Sequence, residues 1–169
     1  EMQRSLVGSE MCIRDRAIAM LFPITAFAQA YVQTWDLVDS GKHLDYDGNS
    51  TYMSYINTGA ATWNAYKSGV IRKDSAFVVE DVYVSDVNAS NGWAGMTYSS
   101  GKIELNTYYM SGYSNSKKQN VATHELGHAL GLDHSTSTDV MDAAITGHTS
   151  TQALSQNDKD SYDAAYNNY

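Results

Sequence analysis

The sequence predicts an α+β domain in which short strands surround one long helix and are followed by a second long helix, a loop and a third helix. Three observations carry this reading. Tyr52, Ile56, Gly59/Ala60 and Trp63 recur at helical spacing. Residues 70–73, 79–85, 93–98 and 102–109 are short, strand-like runs separated by polar or glycine-containing stretches. Leu154-Ser155-Gln156-Asn157-Asp158 is a helix-start signature ahead of Tyr162 and Tyr166, an i, i+4 pair. The element order is therefore β-α-β-β-β-β-α-loop-α.

Each element has a local reason. Residues 44–47 form a first strand, ended by Asp47-Gly48. Ser50 or Thr51 is the expected cap of the first helix, which should stop near Ser68-Gly69. In 79–85, Val79, Asp81 and Tyr83 alternate with Glu80, Val82 and Val84, so the alternation leaves the buried face open. Residues 93–98 form a candidate edge strand, and 102–109 alternate around Ile103 and Leu105. Ser114 or Ser116 should cap the second long helix, spanning about 117–130. Its core face is Ala122, Leu126 and Ala129/Leu130, opposite a stripe of Val121, His124 and His128. Gly127 inside that helix costs up to about 1 kcal/mol relative to alanine, which points to close packing against a partner the sequence does not identify. The third helix covers 156–166.

The chain of 169 residues is long enough for one domain with a core, and residues 31–169 are expected to form it. Thirteen tyrosines against three phenylalanines imply aromatic packing with polar rims. The net charge of −8 argues against a nucleic-acid partner, which would call for a basic patch. Residues 17–28 are a short apolar run behind Arg14 and Arg16, ending in two overlapping A-x-A sites, Ala26-Phe27-Ala28 and Ala28-Gln29-Ala30. Residues 17–30 thus read as a signal peptide, too short to span a membrane. Residues 1–16 fit no targeting or structural pattern; they resemble a translated adapter sequence and are set aside as a non-native leader. The single cysteine, Cys12, would leave with it, giving a disulfide-free exported protein of bacterial type.

The densest chemistry is His124-Glu125-Leu126-Gly127-His128-Ala129-Leu130-Gly131-Leu132-Asp133-His134. It fits H-E-x-x-H-x-x-G-x-x-H. Five fixed positions at roughly one in twenty each arise by chance in about one chain of this length in twenty thousand. On a helix, residues i and i+4 share a face, so His124 and His128 can aim at one ion. Glu125 stands about 100° round the helix, able to reach a water at the metal without binding the metal. Gly131 can take a left-handed conformation, end the helix and bring His134 back as a third ligand. Three protein ligands with one open position describe a catalytic zinc rather than a structural one. Met141, a few residues beyond His134, stands where a Met-turn would place an apolar sulfur beneath the site.

Residues 124–135 together with Asp139-Val140-Met141 resemble the matrixin branch of the metzincin proteases, most closely over Leu130-Gly131-Leu132-Asp133-His134-Ser135. The resemblance implies a twisted mixed β-sheet with two long helices, zinc in the cleft, and a short C-terminal subdomain carrying the third helix. It implies a secreted zinc endopeptidase in which His124, His128 and His134 are ligands, Glu125 is the general base and Met141 is the Met-turn residue. It also implies a polypeptide substrate bound extended along an edge strand, for which Trp93, Ala94, Gly95, Met96 and Thr97 are the candidates. Asp142-Ala143 stands where many matrixins have Tyr-Pro, so pocket specificity does not carry over. No tyrosine follows two residues after Met141, so the tyrosine ligand of astacins and serralysins is absent. Calcium is a further candidate ion at the acidic pairs Asp45/Asp47 and Asp81/Asp86, neither with calcium-loop spacing. His43 and His148 are expected at the surface, and a monomer is expected. The competing readings are a secreted zinc-binding module without catalysis, which has no use for Glu125, and a zinc hydrolase of a non-peptide substrate, which would keep it.

Overall fold

A computed structural model describes residues 29–75 and 79–169. The expected leader with Cys12, and the expected signal peptide up to residue 28, lie outside the described residues. Among those described, five strands form one mixed sheet: β1 (Leu44–Gly48), β2 (Ile71–Lys73), β3 (Val82–Val87), β4 (Gly95–Tyr98) and β5 (Lys102–Asn106). The spatial order is β2-β1-β3-β5-β4. β2, β1, β3 and β5 run parallel, and β4 returns antiparallel along β5 to form the edge. A turn closed by Gly101 N–H donating to Tyr98 O (3.1 Å) makes that return.

The open choice of face in β3 is settled by burial. Val82 and Val84 are fully buried, whereas Tyr83 is 38% exposed. They join Leu44, Tyr46, Ile103 and Leu105 in one core with Ile56 and Trp63 of α1 (Met53–Asn64) and Ala122 and Leu126 of α3 (Asn115–Ala129), the short α2 being Thr107–Met110. β3 starts later than expected because Val79 and Glu80 stand exposed outside the ladder, and it runs on to Val87, opposite Asn106. α1 and α3 pack directly: Trp63 Nε1 donates to Thr123 O at 2.9 Å.

Two local expectations are corrected. Neither Ser50 nor Thr51 caps α1, which begins after Tyr52 without a side-chain cap. Both hydroxyls instead donate to the carboxylate of Asp86 at the far end of β3, a long-range partner that outcompetes the local one. Residues 107–109, expected in the last strand, turn into α2. Asn106 caps it, accepting from Tyr108 N at 3.1 Å, while Thr107 Oγ1 donates to Val87 O at 3.0 Å. The capping-box expectation holds for α4 (Gln156–Tyr166): Asp158 N donates to Ser155 Oγ at 3.0 Å and Ser155 N to Asp158 Oδ2 at 2.8 Å. Tyr162 of α4 meets Trp63 edge-on, with ring centroids 5.5 Å apart.

The segment before β1 crosses the end of α3. Val32 bridges antiparallel to Leu132. Gln33 N donates to Gly131 O (2.7 Å), Asp133 N to Tyr31 O (2.9 Å) and Leu37 N to Ala129 O (2.9 Å). No described helix is long and apolar enough to cross a membrane.

Candidate metal centre and active site

α3 begins at Ser114, whose hydroxyl accepts from Lys117 N at 3.3 Å. One face then carries His124 and His128. The helix ends as the glycine predicted: Gly131 has φ +83°, Gly131 N donates to His128 O (2.9 Å), and Leu132 N donates to Gly127 O (3.0 Å). This paired closure reverses the chain and delivers His134.

The three imidazoles converge. Their candidate ligand nitrogens lie within 4.8 Å of one another. His128 Nε2 and His134 Nε2 are 3.2 Å apart, close to the roughly 3.3 Å edge of a tetrahedron with 2.0–2.1 Å zinc–nitrogen bonds. A backbone carbonyl selects the tautomer of His124, whose Nδ1 donates to Val140 O at 2.8 Å and whose Nε2 is left with a lone pair. Nδ1 of His128 lies 2.9 Å from Leu132 O and 2.7 Å from Nε2 of Gln33. Burial, reinforced by the neighbouring His128, lowers the His124 pKa to about 3, and burial also lowers that of His128. Both rings therefore stay neutral and ligand-ready at neutral pH. The donor set fits a zinc ion.

Glu125 packs against β4. Its carboxyl is buried between Gly95 and Thr97: Thr97 Oγ1 lies 2.7 Å from Oε2, and a Cβ on residue 95 would stand 2.5 Å from Oε1. Burial raises its pKa to about 7 against the lowering effect of the Thr97 hydrogen bond. A cleft of about 390 Å³ opens over this group and the histidines.

All five residues proposed for the substrate strand line the cleft, but only Gly95, Met96 and Thr97 lie in β4; Trp93 and Ala94 lead into it. Val121 lines it from α3, and Ala143, Ile145 and Thr146 line it from the segment after Met141. Met141 itself is fully buried behind α3. Its backbone N–H and that of Val140 donate to Asp158 Oδ1 (3.1 Å) and Oδ2 (2.9 Å). The sequence offered no signal for Gln33, which lines the cleft and donates through Nε2 to Leu132 O at 2.8 Å, the carbonyl that also holds His128.

The other expected sites resolve differently. His43 and His148 are both partly exposed; His148 Nε2 bonds to Asp142 Oδ2 at 2.8 Å, and His43 lies 3.8 Å from Asp39. Among the described residues, nothing supports calcium. Asp86 is taken by Ser50 and Thr51, while Asp45, clustered with Asp39 and Asp81, faces the guanidinium of Arg72 at 2.5–2.9 Å.

The profile of the family described as matrixin, peptidase M10, matches residues 25–167. Among solved structures, archaemetzincin from Methanopyrus kandleri superposes with a TM-score of 0.54 at 12% identity, over 77% of this chain and 99% of that one. High choriolytic enzyme 1, a hatching-enzyme zinc protease of the medaka fish Oryzias latipes, is similar at a TM-score of 0.35 and 21% identity, over 59% of this chain and 50% of that one. No curated protein sequence matches. With its mixed five-stranded sheet, its converging histidines and a family match that runs nearly its whole length, the chain belongs to the matrixin family.

Proposed function

We propose that the chain is a secreted zinc-dependent endopeptidase, with residues 31–169 as its catalytic unit, acting as a monomer on a peptide held extended along β4. The observation that carries this is the convergence of His124, His128 and His134 beside the buried carboxyl of Glu125 in one open cleft. Bound by the three histidines, zinc would supply Lewis acidity to the scissile carbonyl and acidify water. Glu125 accepts the proton of the attacking water and returns it to the departing amine. Its raised pKa, about 7 through burial, keeps both proton states accessible at neutral pH. β4 is a sheet edge, so its outward backbone groups are free to pair with a substrate strand.

Glu125→Gln tests the reading. It keeps the shape of the side chain but cannot take a proton. Activity on an unstructured protein such as casein should fall by about 10²–10⁴-fold or more, with one zinc per chain retained. His128→Ala should lose the zinc. Full activity in Glu125→Gln refutes the mechanism, and lost zinc there makes Glu125 a ligand. A zinc-loaded but inactive wild type transfers the case to a non-catalytic module or a non-peptide substrate.

A further inference from the structure

We propose that Thr97 is a positioning residue for Glu125, so that the strand expected to bind the peptide also sets the place of the base. The inference rests on the peptidase reading above. Thr97 is only 8% exposed although it lies on an edge strand. Its Oγ1 is 2.7 Å from Glu125 Oε2 and 2.9 Å from Glu125 O. Gly95 lies two residues earlier, on the same face of β4, and its missing side chain leaves room for Oε1. One carboxyl oxygen is thus held by a hydroxyl and the other is packed over a glycine. Two adjacent same-face positions of one strand are shaped around a single side chain from another element.

The chemistry of a hydroxyl suits the task. It has one proton and two lone pairs. With Glu125 ionised, Thr97 donates to Oε2. With Glu125 carrying a proton, the carboxyl donates to Oγ1 and the Thr97 proton turns to Glu125 O. Thr97 therefore stays bonded in both states through which a base that later acts as an acid must pass, and it neither gains nor loses a proton overall. Valine at this position keeps the branched shape and supplies neither bond, while serine keeps the hydroxyl.

The experiment compares Thr97→Val and Thr97→Ser in the zinc-loaded protein. It reads kcat and KM on a casein-derived peptide, zinc content, and the ¹³C resonance of the Glu125 carboxyl, assigned with Glu125→Gln. The resonance is also read in zinc-free protein. Thr97→Val should lose about tenfold in kcat with KM within about twofold, unchanged zinc and a moved resonance. Thr97→Ser should restore both kcat and the resonance. Thr97→Ala gives the same comparison should the valine variant fail to fold. A serine variant as impaired as the valine one, or a resonance that does not move in Thr97→Val, overturns the proposal. If the wild type is inactive yet the resonance moves and serine restores it, the hold of Thr97 on Glu125 stands and the peptidase reading fails.

Discussion

The sulfur of Met141 fills the space that a side chain on residue 127 would need, and Trp63 closes the other side, 2.9 Å from where the Cβ would stand. This is the packing partner that the mid-helix glycine called for. Gly127→Ala gains up to about 1 kcal/mol in helix propensity. It must also displace a buried methionine and a buried indole, an overpacking that costs about 1–3 kcal/mol. A net loss of stability is expected, visible as a lower denaturation midpoint. An equal or higher midpoint would mean that Met141 repacks freely.

Asp158 joins α4 to the turn beneath the site, since its carboxylate accepts from the backbone of Val140, Met141 and Ser155. It is fully buried, so Asp158→Ala would strand the buried donors of Val140 and Met141 and release the part-buried one of Ser155. At about 1–3 kcal/mol for each unsatisfied group, the loss should reach about 3 kcal/mol. Zinc affinity should weaken as well, because Val140 O orients His124. Urea denaturation and chelator competition measure the two effects, and unchanged zinc affinity would uncouple the turn from the metal site.

In metal-free protein, two adjacent residues give opposite pH dependence. Burial lifts the Glu125 pKa from 4.5 to about 7, so over that window the folded chain holds a proton that the unfolded chain has released. That contribution is fully present below pH 4.5 and is lost as pH rises through 7. Burial lowers the His124 pKa from 6.5 to about 3, so there the unfolded chain binds a proton that the folded one refuses, and stability is lost as pH falls. Glu125→Gln removes only the first effect. In chelator-treated samples its advantage over wild type should grow as pH rises from 4.5 to above 7. A constant difference would show that Glu125 ionises normally.

Asn106 ties the loop before β4 to the sheet. Its Nδ2 donates to Ala89 O (2.8 Å) and Trp93 O (2.9 Å), and its Oδ1 accepts from Ala89 N (3.2 Å) and Tyr108 N (3.1 Å). Asn106→Ala should cost about 2 kcal/mol or more and speed amide exchange over residues 89–94. Unaltered exchange in that loop would show that other contacts hold it.

What the sequence made legible was whatever depended on near neighbours. The stripe of His124 and His128, the stop at Gly131 and the box of Ser155 and Asp158 are all decided within one helical turn. The misses involve distant partners. Ser50 looks like a cap until Asp86 takes its hydroxyl. Residues 107–109 continue a strand pattern until Asn106 is drawn to Ala89 and Thr107 to Val87. Gln33 carries no motif, because its importance lies in a carbonyl 99 residues away. β3 was misplaced for a different reason: apolar residues fall on both of its alternating faces, and only the covering helices choose between them.

The strap that crosses the end of α3 has a consequence for the order of assembly. Tyr31 bonds to Ser161 across 130 residues, and Gln33 to Leu132 across 99. Such distant closures carry the greatest loop entropy and are slow to form. A half-folded chain can already present His124 and His128 from one helix, and the turn that carries His134 gains its remaining backbone anchors when the strap arrives. Two histidines make a weak, exchangeable site, and the third makes a tight one. Tight metal retention is therefore a signature of completed folding, and the chain would acquire its reactive centre last.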